Sequence, residues 1–339
     1  MIPMDLLVRP RQALEWMRSR NAANGPGAGL FILAYHRVLD RTEGEADWFD
    51  EALVSASVQE FREQMRFVKE RFEVLNFAGL GDWLDRATRA ARPAVMVTFD
   101  DGYRDSYEIV YPILREMGVP GTVFLATGYV ETGDVFWWDK VVYLINHATR
   151  SSILLPTRPP VSFSLRNRYD RARTAQRVLS LLKRIPDEER LRILEALPRM
   201  VGAALDPEVT RRLTLRWSEV EAMSRDGIEF GSHTVTHPVL TQAAADLLQF
   251  EIGTSKRAIE ERIGRPVIAF CYPIGGKLSF NEQVKAVVAR NGYRFAVTYR
   301  YGANPVPPPD RLALRRLRME RDHPLQTLVE RMLPEAVRP

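Results

Sequence analysis

Two short stretches of the 339-residue chain carry the residue types that acid–base or metal chemistry needs. In the first, Val95-Met-Val-Thr-Phe-Asp100-Asp101-Gly102-Tyr103, an apolar run ends in two adjacent carboxylates and a glycine. A strand that stops there delivers both acids to its mouth, where they repel unless a cation or a proton separates their roles. The competing reading is a helix N-cap, with Asp100 or Asp101 capping a helix that begins near Tyr103. The second stretch, Gly231-Ser-His233-Thr-Val-Thr-His237-Pro, places two of the chain's five histidines four residues apart, after the apolar run 228–230. Local hydrogen bonds could satisfy such a pair. Beside a carboxylate, however, two imidazoles are what zinc and its first-row neighbours accept, and two His with one Asp leave positions open for water and substrate.

The elements that must position these residues follow from hydrophobic patterning. Candidate strands are 30–38, 94–100, 121–126, 228–232, 267–272 and 295–298, with 314–318 a weaker one. Helical patterns lie near 57–72, 103–118, 217–226, 241–264 and 280–291, two of them opened by capping-box signatures, Ser57 with Glu60 and Ser218 with Glu221. This alternation predicts an α/β fold, a mostly parallel sheet or barrel covered by helices, with working residues at the C-terminal ends of the strands. From about 129 to 215 the rhythm breaks into charged helical patterns around a Pro-containing stretch at 154–161, LLPTRPPV. A helical insertion or lid is expected there, because barrel loops absorb long insertions at modest entropic cost. The expected organisation is therefore an N-terminal helical extension at 1–29, a barrel formed by 30–129 and 216–333, and an insertion at 130–215.

Composition narrows the function classes. With 45% hydrophobic and 27% charged residues the chain is neither disordered nor fibrous. The formal net charge of +5 comes from scattered basic residues, and the Arg-rich stretches at 166–173 and 311–321 are diluted by acids and apolar residues, so no nucleic-acid partner is expected. Cys271 is the single cysteine, which excludes an intrachain disulfide and a cysteine-based zinc cluster; it reads as a small buried apolar residue rather than a nucleophile. No apolar window reaches the length of a membrane helix, and the first twenty residues are broken by Asp5, Arg9, Arg11 and Glu15, so neither a signal peptide nor a transmembrane segment is read. A cytoplasmic location is expected. Residues 1–20 could form an amphipathic helix on a membrane surface, the alternative being packing on their own domain.

Thr98-Phe-Asp-Asp-Gly102, followed about 130 residues later by Ser232-His-Thr-Val-Thr-His237, resembles the polysaccharide deacetylases of the NodB-homology type, the fourth carbohydrate esterase family, in both motifs and in their order. The resemblance covers roughly 30–130 and 215–320, and Phe136-Trp-Trp-Asp139 is similar to the longer deacetylases found with exopolysaccharide gene products. It implies a distorted (β/α) barrel and a divalent metal ion, zinc first with cobalt or nickel as alternatives. It also implies hydrolysis of N-acetyl, sometimes O-acetyl, groups on an acetylated glycan. Carried over by motif, Asp100 resembles the general base that deprotonates the attacking water, and Asp101, His233 and His237 the metal ligands. The family's third motif, usually Arg-Pro-Pro-Tyr-Gly, corresponds to Cys271-Tyr272-Pro273-Ile274-Gly275, in which the Ile274 main-chain amide would serve as oxyanion donor and the neighbouring Tyr272, Pro273 and Gly275 would contact substrate. Cys271 stands where the arginine flanking the base would be, and Arg316 is nominated to supply that cation.

The family's Leu-x-His acid motif is missing near the C-terminus, where the one histidine, His323, sits in a polar Arg-Asp-His-Pro. His36 instead ends the first strand pattern, which resembles the circularly permuted deacetylases whose acid comes from that strand. His147 reads as structural, and Trp137 and Trp138 as core or, with Tyr272 preferred, as platforms for sugar rings. Two rivals follow from the same motifs: a catalytically silent glycan-binding module, suggested by the missing arginine, and a metal-dependent hydrolase of non-peptide C–N bonds in small amides.

Overall fold

The structure, a computed structural model, describes residues 29–40, 49–87, 90 and 92–321. The N-terminal extension expected at 1–29, except Gly29, lies outside the described residues, as do His323 and the barrel residues expected beyond 321. Twelve strands follow one another: β1 (Leu30–Tyr35), β2 (Arg37–Val38), β3 (Val54–Ala56), β4 (Glu73–Leu75), β5 (Ala94–Phe99), β6 (Thr122–Leu125), β7 (Ser152–Leu155), β8 (Val161–Ser164), β9 (Glu229–Ser232), β10 (Ala269–Cys271), β11 (Phe295–Tyr301) and β12 (Leu314–Arg318).

Seven of these close a parallel barrel in the order β1-β12-β11-β10-β9-β6-β5, the ring being completed by full-length pairing of β5 with β1, from Leu30↔Ala94 to Tyr35↔Phe99. The short β4 lies beside residues 94–96 of β5, and β6 beside residues 98 and 99. Strands buried on both faces read as continuous apolar runs, and β1 (LFILAY) and β5 (AVMVTF) are buried at every position. Because all seven barrel strands run the same way, their C-terminal ends share one rim. That rim receives His36 after β1, Asp100 and Asp101 after β5, and His233 after β9.

Helices cover the barrel. The one over Val58–Arg71 starts with the predicted capping box, Ser57 and Glu60 exchanging hydrogen bonds. The helix over Trp217–Arg225 starts two residues earlier than Ser218 and Glu221 suggest: the Arg216 N–H donates to the Glu219 carboxylate at 2.9 Å, leaving Ser218 inside the first turn. Strands β3 and β4 and the helices Phe77–Arg86 and Thr127–Thr132 are additions to the sequence-based expectation; all but the ten-residue helix Phe77–Arg86 are too short for two periods to be told apart.

Residues 130–215 hold the helices Trp137–Asn146, Arg168–Leu182, Asp187–Val201 and Pro207–Leu213, around an apolar cluster that includes Leu144, Val178, Ile193 and Leu197. Within them β7 and β8 form an antiparallel hairpin, so the segment is not wholly helical. The Pro-rich stretch is its turn, and β7 alternates exposed and buried residues as a half-buried strand does. No helix among the described residues is long and apolar enough to cross a membrane.

Candidate active site

Asp100 and Asp101 leave β5 into a backbone bend. Asp101 has φ +76° and Gly102 φ +93°, where an added Cβ would come within 2.9 Å of Leu125. Among the described residues the non-glycine positions with positive φ are Asp101, Thr234, His237 and Ile274, and all four belong to the three motifs. Such conformations are costly for L-residues and persist where the surroundings over-determine them, most often at functional sites.

The His233–His237 loop is fixed on three sides. The Thr127 and Gly128 N–H groups donate to the carbonyls of Thr234 and Val235, and the His237 N–H donates to Thr234 Oγ1 at 3.0 Å. On the third side Glu251, fully buried in a π-helical turn (Phe250–Thr254), accepts the N–H groups of Val235 and Thr236 at 2.8 and 2.9 Å and the Thr236 hydroxyl at 2.7 Å. Sequence reasoning missed Glu251. The signal available was an acid on the inward face of an otherwise amphipathic helix.

The result is a compact donor set. Asp101 Oδ1 lies 3.4 Å from His233 Nε2 and 3.6 Å from His237 Nε2. His233 Nδ1 is 2.7 Å from the Cys271 carbonyl, to which it donates, so Nε2 faces Asp101; burial lowers this imidazole, but Cys271, Asp101 and Asp100 outweigh it and hold it well above the usual range when no cation is bound. Burial and the facing His233 hold His237 well below the usual imidazole range, in the neutral form that ligates. Trp138 packs its ring 4.5 Å from that of His237, and Trp137 Nε1 donates to the His237 carbonyl at 3.3 Å. Both tryptophans are buried and support the histidine loop. Asp101 Oδ1 is buried with no hydrogen-bond partner, and with His233 and His237 it forms a donor set that could hold a metal ion.

Asp100, Cys271 and His233 also converge, but Asp100 is otherwise engaged. Arg316 donates to both of its oxygens at 2.7 Å, and a further bond from Arg316 Nε to the Thr298 carbonyl fixes the guanidinium. Burial pushes the Asp100 carboxyl up; the Arg316 charge and hydrogen bonds, helped by His233 and His36, outweigh it and hold the carboxyl well below the usual range. Arg316 Nη2 passes 3.2 Å from Cys271 Sγ, so the small cysteine leaves the room the guanidinium occupies. Burial raises the Cys271 thiol, keeping it a neutral packing group rather than a thiolate.

A cavity of about 720 Å³ opens over these groups, bordered by His36, Asp100, Asp101, His233, His237 and Ile274. His36 is half-buried, with its ring centroid 5.7 Å from that of Tyr299. Ile274 is the middle residue of a tight turn closed by Gly275 N–H on the Pro273 carbonyl at 2.6 Å, so its own N–H takes no part in that bond. Gly275 is required there: its φ is +58°, and a Cβ would meet Tyr299 N at 2.5 Å. Tyr272 borders the cavity but is 1% exposed, its ring stacked on Phe280 and its hydroxyl on the Leu312 carbonyl, which leaves no open ring face for a sugar. Tyr299, which sequence reasoning passed over, is the more open aromatic of this wall. His147 caps its own helix with Nδ1 on the Tyr143 carbonyl.

A family model for polysaccharide deacetylases matches residues 87–296. The chain is 19% identical over 289 residues to YxkH of Bacillus subtilis (strain 168), which covers 85% of this chain and 69% of the relative. Among solved structures it is similar to the Streptococcus pyogenes deacetylase PplD in complex with acetate, with TM-score 0.61 and 20% identity over 90% of this chain and 99% of that one. It is also similar to IcaB from Ammonifex degensii, with TM-score 0.56 and 17% identity over 90% of this chain and 98% of the other. These structural likenesses establish a shared barrel.

Proposed function

The chain belongs to the polysaccharide deacetylase family, and from that premise we propose that it is a metal-dependent hydrolase removing N-acetyl groups from a glycan. The observation that carries the reading is Asp101 Oδ1, buried and unpartnered, facing two imidazole nitrogens beside a second, ionised carboxylate. One carboxylate and two imidazoles suit a first-row divalent cation, zinc first, with Asp101, His233 and His237 as its ligands. When bound, such a cation supplies Lewis-acid polarisation of an acyl oxygen and lowers the pKa of water.

The chain's own groups do the rest. Asp100, ionised and oriented by Arg316, accepts the proton of the water that attacks the acyl carbon. Ile274 N–H would donate to the oxygen on which negative charge develops. His36, which borders the same cavity after β1, delivers a proton to the departing amine nitrogen, so the C–N bond breaks to give acetate and a free amine. Arg316 takes the place of the cation that Cys271 cannot provide. Residues 130–215 act as the insertion that holds His237 through Trp137 and Trp138.

The test is acetate release from chitooligosaccharides and poly-N-acetylglucosamine by the full chain, with and without chelator, together with elemental analysis of the purified protein; O-acetylated oligosaccharides and a small amide are the comparison arms. Chelator-sensitive acetate release from the N-acetylated glycans supports the reading. Glycan binding with no acetate from any substrate would make the protein a silent binding module, and turnover confined to the small amide would make it a different hydrolase.

A further inference from the structure

Beyond the reacting groups, the cavity wall is cationic. Arg316 is committed to Asp100, yet Lys183, Lys277, Arg300 and Arg318 also border the cavity. They come from separate parts of the chain: Lys183 caps the helix Arg168–Leu182 of the insertion, Lys277 follows the Ile274 turn, Arg300 is near the end of β11, and Arg318 ends β12. The fold, rather than a run of basic sequence, gathers them.

The acids bordering the same cavity do not balance them. Asp100 is held by Arg316, Asp101 faces His233 and His237, and Asp50 accepts the Ala52 N–H and the Gln176 amide, each at 3.2 Å. Arg318 has Glu320 at 3.7 Å, and its Nε is buried without a partner. Among the described residues no carboxylate lies within ion-pair distance of Lys277 or of Arg300, whose guanidinium rests 4.6 Å from the centre of the Phe280 ring, while Lys183 is attracted by Asp50 and Asp101. Like charges gathered around a concave, partly desolvated space raise one another's energy, and an anion placed among them removes that cost. On β11 the cation is interleaved with aromatics, Tyr299, Arg300 and Tyr301 all bordering the cavity. Such a wall suits a ligand with both a sugar face and a charge.

We propose that the substrate is an anionic saccharide, whose acetylated sugar carries, or is joined directly to, a carboxylate or a phosphate that lies against Lys277, Arg300 and Arg318. The inference rests on the deacetylase reading for its chemistry and on the cavity wall alone for its binding. Guanidinium and ammonium groups hold either anion by charge-assisted hydrogen bonds.

Calorimetric binding to the full chain, with and without added zinc, compares three acetylated sugars: N-acetylglucosamine 1-phosphate, a disaccharide of N-acetylglucosamine and glucuronate, and neutral N,N′-diacetylchitobiose. At least one charged sugar is expected to bind about tenfold or more tightly than the neutral one, and the preference should shrink between low and roughly 0.5 M salt. Which charged sugar binds better separates phosphate from carboxylate. In the double variant Lys277→Gln/Arg300→Gln, whose positions are both exposed, the preference should fall by about tenfold. Equal binding of all three sugars, or a preference that survives the double variant, overturns the inference. Preferential binding of a charged sugar without acetate release sinks the deacetylase reading and leaves this one standing; efficient chelator-sensitive release from the neutral sugar with no preference for charge does the reverse.

Discussion

Asp100 carries its charge in a place that would reject it alone. It is 2% exposed, and its partner Arg316 is 1% exposed. A buried pair with two direct bonds is held together by its geometry, and removing one member strands the other. Arg316→Gln is therefore expected to cost about 3–5 kcal/mol in denaturant unfolding, while the double variant Arg316→Gln/Asp100→Asn should recover most of that loss. Additive losses in the double variant would show that the pair is not the unit it looks like. Asp100→Asn alone should lower turnover by about 10²–10⁴-fold, the range of a general base, with metal content unchanged by elemental analysis. Metal lost along with turnover would move Asp100 among the ligands. That a cation must flank Asp100 was legible from the sequence, because Cys271 occupies the motif position where an arginine is usual. Arg316 was nominated for that place as well; what brings its guanidinium onto Asp100 is β12 standing next to β1 and β11 in the ring, a fact of topology that local spacing does not carry.

The loop between the two histidines and the insertion helix show how whole elements serve the site. Glu251 ties down the residues between His233 and His237 without touching either ring, so it acts by positioning. Glu251→Gln should weaken metal binding by about 10–100-fold in a competition titration with a chromophoric chelator while the protein stays folded by circular dichroism; undiminished affinity would reduce Glu251 to a packing role. Asp139, on the insertion helix Trp137–Asn146, is fully buried, accepting the Tyr103 hydroxyl at 2.7 Å and the Asp50 N–H at 3.0 Å. Burial pushes its carboxyl up to about 7, against the pull of Tyr103, Arg37 and the Asp50 amide. With the folded value above the unfolded one, the native state binds the extra proton, so this group's contribution to stability declines as pH rises from about 4 to 7 and is flat above. Asp139→Asn should flatten that part of the stability–pH curve, measured by urea unfolding at several pH values. The long elements were legible in the sequence, β1 and β5 as unbroken apolar runs and the helix Val58–Arg71 as an amphipathic pattern opened by its capping box. The three-residue β3 and β4 and the β7–β8 hairpin were not, because so few residues satisfy both periods and the tertiary partner decides.

At the scale of the whole molecule the site exists only when the ring is closed. The ligand and base carboxylates come from β5, the histidines from β9, the guanidinium from β12 and His36 from β1, so four strands must be in register before the donor set, the base with its cation, and His36 share one rim. A cation that grips this set binds the folded chain and has no matching site in the unfolded one, which makes metal binding a contribution to global stability. Saturation at about 100 times Kd adds roughly 2.7 kcal/mol, which for a chain of this size raises Tm by about 4 °C. Differential scanning calorimetry of the full chain should show that rise when zinc replaces chelator. The rise should vanish in Asp101→Asn and in His237→Ala, whose chains retain the barrel but lack a ligand, and persist in Asp100→Asn. A Tm indifferent to zinc, cobalt and nickel in the unaltered chain would mean that the three groups converge for packing alone. In that case the buried, unpartnered oxygen of Asp101 would have to be satisfied by water.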